Sequence, residues 1–239
     1  MKVQAVGHQR YTLGEGPHWD ERSGTLLFVD GHGCQILRYD PESRTETEVV
    51  RLGSMPVKID PVDIESIVRG KNNFWSFSKG QLKHKLDKVN LSNGIAWTAD
   101  NRTMFYNDSV PGTTYAFDFD VASGDISNKR VLLDFKATPG FEELGLPDGM
   151  TIDVNDKIWL ACCLSGLVLQ VDPETAKVLT KVSFPTKYTT SCCFGGRNYD
   201  TLYVTSGNFP PDATQPEDGR LYEVTELGAK GKAAFEFAG

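Results

Sequence analysis

Three short stretches of this chain place an oxygen-bearing side chain beside a glycine at the start of a strand-like run. Gly14-Glu15-Gly16-Pro17 leads to Trp19, Ser92-Asn93-Gly94 leads into Ile95-Ala96-Trp97, and Leu146-Pro147-Asp148-Gly149-Met150 leads into Thr151-Ile152-Asp153-Val154. In each, the glycine lets the backbone turn sharply. Two carboxylates and an amide are hard oxygen donors, the ligand set a divalent cation takes if the three strand starts converge. Each residue alone has an ordinary alternative. Glu15 can be a turn residue, Asn93-Gly94 is a favoured turn pair, and Asp148 can be a loop carboxylate. The shared position at three strand starts is what singles them out.

Other chemistry-bearing residues say less. His8, His18, His32 and His84 fit no ligand spacing. Cys34 stands alone, while Cys162-Cys163 and Cys192-Cys193 are vicinal pairs. An odd total without CxxC spacing indicates neither a disulfide framework nor a zinc site. Neighbours on a strand point to opposite faces, so each pair sends one thiol inward and one outward. Reduced cysteines and the lack of an apolar leader at Met1–Arg10 lead us to expect a cytoplasmic protein.

The 239 residues carry 39% hydrophobic and 24% charged side chains and a formal charge of −7, which describes a globular chain with no basic patch for nucleic acid. No apolar run approaches the roughly 20 residues of a membrane span. We expect no nucleic-acid or membrane partner and a monomer.

The elements that must hold the three donors are strand-sized throughout. Runs such as Thr25–Asp30, Gln35–Asp40 and Glu46–Leu52 are separated by Asp20-Glu21-Arg22-Ser23-Gly24, Gly31-His32-Gly33 and Asp40-Pro41-Glu42-Ser43. This spacing predicts antiparallel, all-β structure. A four-strand unit recurs over 93–135, 148–185 and from Thr190 to Phe237, its third strand tending to end in Asp. Such a period predicts β-propeller blades. Residues 53–92 break the pattern, as an irregular or truncated segment within a single 1–239 domain. Phe74–Phe77 and Gln81–Leu86 resemble the outer half of a blade, and Pro56 and Pro61 would interrupt a central strand. Val3–Val6 is a spare strand whose natural use is to pair with the last blade. Trp19, Trp97 and Trp159 read as blade packing. Asn107-Asp108-Ser109, ending a second strand beside the channel, reads as support for the site, and Glu142-Glu143 as a solvated loop pair.

With the blades laid out, the chain resembles the senescence marker protein 30 family of regucalcins, gluconolactonases and luciferin-regenerating enzymes. The resemblance rests on Gly14–Trp19, Leu26–Asp30, Leu91–Trp97, Leu146–Met150 and Thr189–Gly196, the last most similar to animal regucalcins. It implies a six-bladed propeller, here with an internal deletion that leaves four clear blades plus remnants and removes about one and a half. It implies one divalent metal ion (Ca, Zn, Mn or Mg) held by Glu15, Asn93 and Asp148. It also implies that Asp148 activates the water that opens a small-molecule lactone, a gluconolactonase-type hydrolysis. The family's Arg-x-Asn-Asp-Gly stretch, which grips substrate, has no counterpart in the chain and belongs where residues 53–72 now stand. Three functions compete: the lactonase, a non-catalytic calcium-binding regulatory protein, and a propeller scaffold that binds proteins through its rim. The three retained donors favour the first two.

Overall fold

The computed structural model describes residues 1–53, 72–78, 80–209 and 215–234, and every regular element among them is a β-strand. After β1 (Lys2–Val6), strands β2 (Gly14–Asp20), β3 (Thr25–Asp30), β4 (Gln35–Asp40) and β5 (Thr45–Arg51) form an antiparallel meander. β6 (Asn72–Ser78) and β7 (Gln81–Val89) form a two-stranded pair. The next meanders are β8 (Ser92–Trp97), β9 (Thr103–Asp108), β10 (Thr113–Asp120) and β11 (Asp125–Asp134), then β12 (Leu146–Ile152), β13 (Ile158–Cys163), β14 (Leu167–Asp172) and β15 (Lys177–Ser183). The last sheet holds β16 (Thr189–Gly195), β17 (Thr201–Ser206), β18 (Leu221–Thr225) and, returning from the start of the chain, β1.

The aspartates that end the third strands have a local cause. Asp40, Asp120 and Asp172 each accept the amide two residues on, from Glu42, Ala122 and Glu174, and so close the tight turn into the fourth strand.

Apolar side chains on the sheet faces glue the meanders to one another like blades around an axis. Trp19, Phe28, Leu37 and Tyr39 of the first sheet pack on Tyr203 and Leu221 of the last. Cys192, Val204 and Tyr222 of that sheet pack on Trp159 and Val168. Ile158, Leu160 and Leu169 pack in turn on Phe105 and Ala116, and Met104 and Phe117 on Phe74 and Leu86. The inner strands therefore run β2, β16, β12, β8 side by side around the axis. This is a β-propeller with four complete blades and the outer half of another, as the strand pattern predicts. Among the described residues no apolar cluster joins β6–β7 to the first sheet.

Trp19 stacks on Tyr203 with ring centroids 5.7 Å apart, while Trp97 and Trp159 meet Phe119 and Phe194 edge-on. These three tryptophans are packing residues. All five cysteines are free, Cys162 and Cys192 buried and their neighbours Cys163 and Cys193 half-buried.

One element differs from the sequence pattern. Alternation predicts the last blade's fourth strand at Ala233–Phe237, but β1 takes that place, paired in register from Lys2 with Thr225 to Val6 with Leu221. The chain leaves β18 through left-handed turns at Glu226 and Gly228, then runs across to the inner strands. There Gly231 donates to the Tyr199 carbonyl and Lys230 accepts from Val154. That path carries it away from the free edge of β18, which β1 covers instead. Ala233 and Ala234 lie in no strand, and Phe235–Phe237 are outside the described residues, as are Pro56 and Pro61.

Candidate metal centre

Each inner strand is broken at the same place. Pairing with the second strand slips between Glu15 and His18 in β2, Ser92 and Ile95 in β8, Pro147 and Met150 in β12, and Thr189 and Ser191 in β16. A bulge re-aims the side chain it carries, and here it carries Glu15, Asn93, Asp148 and Thr190. Glycines make the bulges possible. Gly16 has a left-handed φ of 54°. A Cβ on Gly94 would lie 2.5 Å from the Asp148 carbonyl and 2.7 Å from the Met150 nitrogen, so β8 and β12 meet backbone to backbone. A Cβ on Gly149 would collide with Ser191 of β16.

Asp148 is the centre of the arrangement. It is 8% exposed, and its Oδ1 is buried without a hydrogen-bond partner. The half-buried Glu15 and Asn93 and the Cys163 thiol lie near it. Burial first, and the Glu15 charge second, push the Asp148 carboxyl well above the ordinary carboxylate range. The Asn93 amide, the Gly149 N–H and the Cys163 thiol pull it partly back. Burial likewise pushes Glu15 up to about 7, against the pull of its bond from the Gly16 N–H, 3.1 Å away. Among the described residues neither acid has an ion pair. Two buried acids with no cation beside them hold on to protons that a divalent cation would displace.

The supporting residues come from neighbouring strands and their ends. Asn107, fully buried, donates from Nδ2 to the Asp148 carbonyl at 2.6 Å, and its Oδ1 accepts from Thr114 Oγ1 at 2.7 Å. Ser109 Oγ accepts from the Asn93 amide at 3.2 Å. Thr190 Oγ1 donates to the Gly14 carbonyl at 2.5 Å and so fastens the strand start that carries Glu15. Asn107 and Ser109, at the end of β9 and just past it, were legible as supporting residues; Thr190 and Cys163 carried no signal beyond their place in strands β16 and β13. The four histidines take no part, and Glu142 and Glu143 are exposed.

The donor set fits a hard divalent cation: an orphaned buried carboxylate oxygen, a second acid and an amide, all without a compensating positive charge. Among the described residues no three His, Cys, Asp or Glu side chains are arranged to hold a metal, so the amide of Asn93 is needed to complete the trio.

Comparison with known proteins gives the same grouping. A model of the "SMP-30/Gluconolactonase/LRE-like region" matches residues 51–208. Regucalcin of Xenopus laevis is 32% identical over 301 aligned positions that cover 100% of this chain and 99% of the relative. Because the chain has 239 residues, the remaining positions of that alignment are gaps in it, consistent with the shortened propeller. Regucalcin of Homo sapiens is 34% identical over 227 positions, covering 93% of this chain and 73% of the relative. Among solved structures, a luciferin-regenerating enzyme superposes with a TM-score of 0.83 at 25% identity, covering 98% of each chain. A calcium-binding regucalcin of Agrobacterium tumefaciens shares the fold, with a TM-score of 0.81 at 18% identity over 94% of this chain and 93% of that one. The chain belongs to the SMP-30/gluconolactonase/luciferin-regenerating-enzyme family.

Proposed function

We propose that this protein is a divalent-metal-dependent hydrolase of sugar lactones such as gluconolactone, centred on Glu15, Asn93 and Asp148. The observation that carries the reading is the buried Asp148 carboxylate, with one oxygen unpartnered and a second acid beside it. Glu15 and Asp148 would give carboxylate oxygens to the metal and Asn93 its amide oxygen. Calcium, zinc, manganese and magnesium all accept such donors. A cation bound there supplies polarisation of the lactone carbonyl.

The chain's own residues do the rest. Asn107 fixes the backbone under Asp148, and Thr190 fixes the strand start under Glu15. Asp148 takes a proton from the water that attacks the carbonyl carbon. As the bond from that carbon to the ring oxygen breaks, the proton passes to the departing ring oxygen, and the product is the open hydroxy acid. Five free thiols suit a reducing compartment, and we place the protein in the cytoplasm.

One observation favours a second reading, a calcium-binding regulatory protein without turnover. The family's Arg-x-Asn-Asp-Gly stretch, which grips substrate, has no counterpart in the sequence, and loss of positioning by about 1 Å can lower a rate on the order of 100-fold. Gluconolactone hydrolysis, measured with and without added divalent metal beside Asp148→Ala, tests both. Metal-dependent turnover lost in the variant is the expected result. Full turnover that survives Asp148→Ala refutes the mechanism, and calorimetric metal binding without turnover selects the regulatory reading.

A further inference from the structure

We infer that Ser109 is the positioning residue of the Asn93 amide, holding it so that its oxygen and not its nitrogen is offered to a cation. The inference rests on the metal centre proposed above and adds the group that makes an amide usable there. Of the three donors, Asn93 alone has two chemically different ends. A carboxylate presents oxygen whichever way it turns, so Glu15 and Asp148 need no such device. An amide turned end for end presents an NH2 group, which donates hydrogen bonds and has no lone pair to give a metal. The face of Asn93 must therefore be fixed by a neighbour.

Ser109 is that neighbour. Asn93 Nδ2 donates to its Oγ at 3.2 Å. Nδ2 carries a second proton, and it is through this N–H that the amide draws on Asp148. Among the described residues nothing donates to Asn93 Oδ1, so the oxygen is the end of the amide left without a partner. Asn107 and Thr190 act differently. They bond the backbone carbonyls of Asp148 and Gly14, which fixes a strand and does not choose the atom a side chain presents.

The hydroxyl is itself held in place by backbone bonds. Ser109 is 2% exposed and directly follows the last residue of β9. Its N–H donates to the Leu91 carbonyl at 3.0 Å, and its carbonyl accepts from Gly112, whose φ of 74° closes the turn. Asp108 accepts from the Asn90 and Leu91 amides. The end of β9 is thus clamped to the start of β8, where Ser92 pairs with Asp108 before the register slips at Asn93. Among the described residues the Ser109 hydroxyl bonds Asn93 and nothing else. A buried hydroxyl with one partner, on a turn fixed by main-chain bonds, is what orients a ligand from behind.

Calorimetric titration of the full chain with Mn2+ tests this, since that cation prefers oxygen donors and the free thiols compete for it weakly. Ser109→Ala should weaken binding about 10- to 100-fold. The same substitution made in an Asn93→Asp chain should cost less than about threefold, because a carboxylate has no wrong face. Losses of equal size in the two backgrounds would mean that Ser109 merely supports the fold, and they overturn the inference. A Ser109→Ala chain that binds like the natural one does so too. Nuclear Overhauser contacts in the unaltered, metal-free chain give a readout that needs no variant to fold: the Asn93 Nδ2 protons should meet the Ser109 Hβ protons, and their absence overturns the inference. Each of these results leaves the metal centre standing. A natural chain that takes up no Mn2+ strikes the centre itself, and the inference with it.

Discussion

Replacing Glu15 with glutamine should stabilise the metal-free protein at high pH and abolish its response to metal. Burial raises the Glu15 carboxyl from 4.5 to about 7. A group whose proton affinity is higher in the folded state makes the fold weaker as pH rises. The penalty is absent below pH 4.5 and complete once pH passes about 7. At 1.36 kcal/mol per pH unit the rise amounts to about 3 kcal/mol. For a domain of this size that is a difference of about 6 to 12 °C in Tm. Glutamine keeps the shape and removes the charge, and it also removes the repulsion that Asp148 feels from Glu15. Thermal unfolding in a chelator at pH 5 and pH 8 measures this. The variant should match the natural chain at pH 5 and exceed it at pH 8. Saturating divalent metal should then lift the natural chain and leave Glu15→Gln where it was. A natural chain with equal Tm at both pH values, or a variant that melts lower at pH 8, would refute the buried acidic pair.

Asn107→Ala leaves the Asp148 carbonyl and the Thr114 hydroxyl unpaired in a buried place, and should cost about 1 to 3 kcal/mol in denaturant unfolding. It should also weaken metal binding about 10- to 100-fold in calorimetry, since it supports a ligand's backbone. Gly149→Ala drives a Cβ into Ser191 and should cost about 1 to 3 kcal/mol or more while disturbing the same site, which the same two measurements report. Metal affinity should rise with pH through about 7, because the cation displaces a proton from Glu15. Calorimetry in buffers of different ionisation heat should detect proton release at pH 6, and none would contradict the assignment. Removal of residues 1–6 uncovers the edge of β18 and takes Val6, 2% exposed, out of the core. It should lower stability by about 3 kcal/mol or more, read from the midpoint of denaturant unfolding.

Strand class and blade period were legible in the linear chain because their causes are local. A side chain two residues along points the same way on a strand, so Leu26, Phe28 and Asp30 announce a buried face without knowledge of what covers it. Asp40, Asp120 and Asp172 announce turns because each bonds an amide two residues on. Glu15, Asn93 and Asp148 stood out because Gly16, Gly94 and Gly149 follow them directly, as the bulge requires. The half blade at β6–β7 was legible for a similar reason: its alternation is intact, and only its inner neighbours are missing.

The choice of closing strand needed the fold. Val3–Val6 and Ala233–Phe237 both alternate like strands. The turn through Glu226 and Gly228 sends Lys230 and Gly231 across to Val154 and Tyr199, and β18 is left to β1. The environment of the donors also arises only in three dimensions. The Asn107 amide reaches the Asp148 backbone from 41 residues away, and Thr190 reaches Gly14 from 176. No spacing rule covers such distances, because the radial stacking of β2, β16, β12 and β8 sets them. The chain alone determines which strand starts carry an oxygen-bearing side chain beside a glycine. Burial among four converging strands decides that Asp148 keeps an unpartnered oxygen and Glu15 an elevated proton affinity, since desolvation depends on everything packed around a charge and not on its neighbours in sequence.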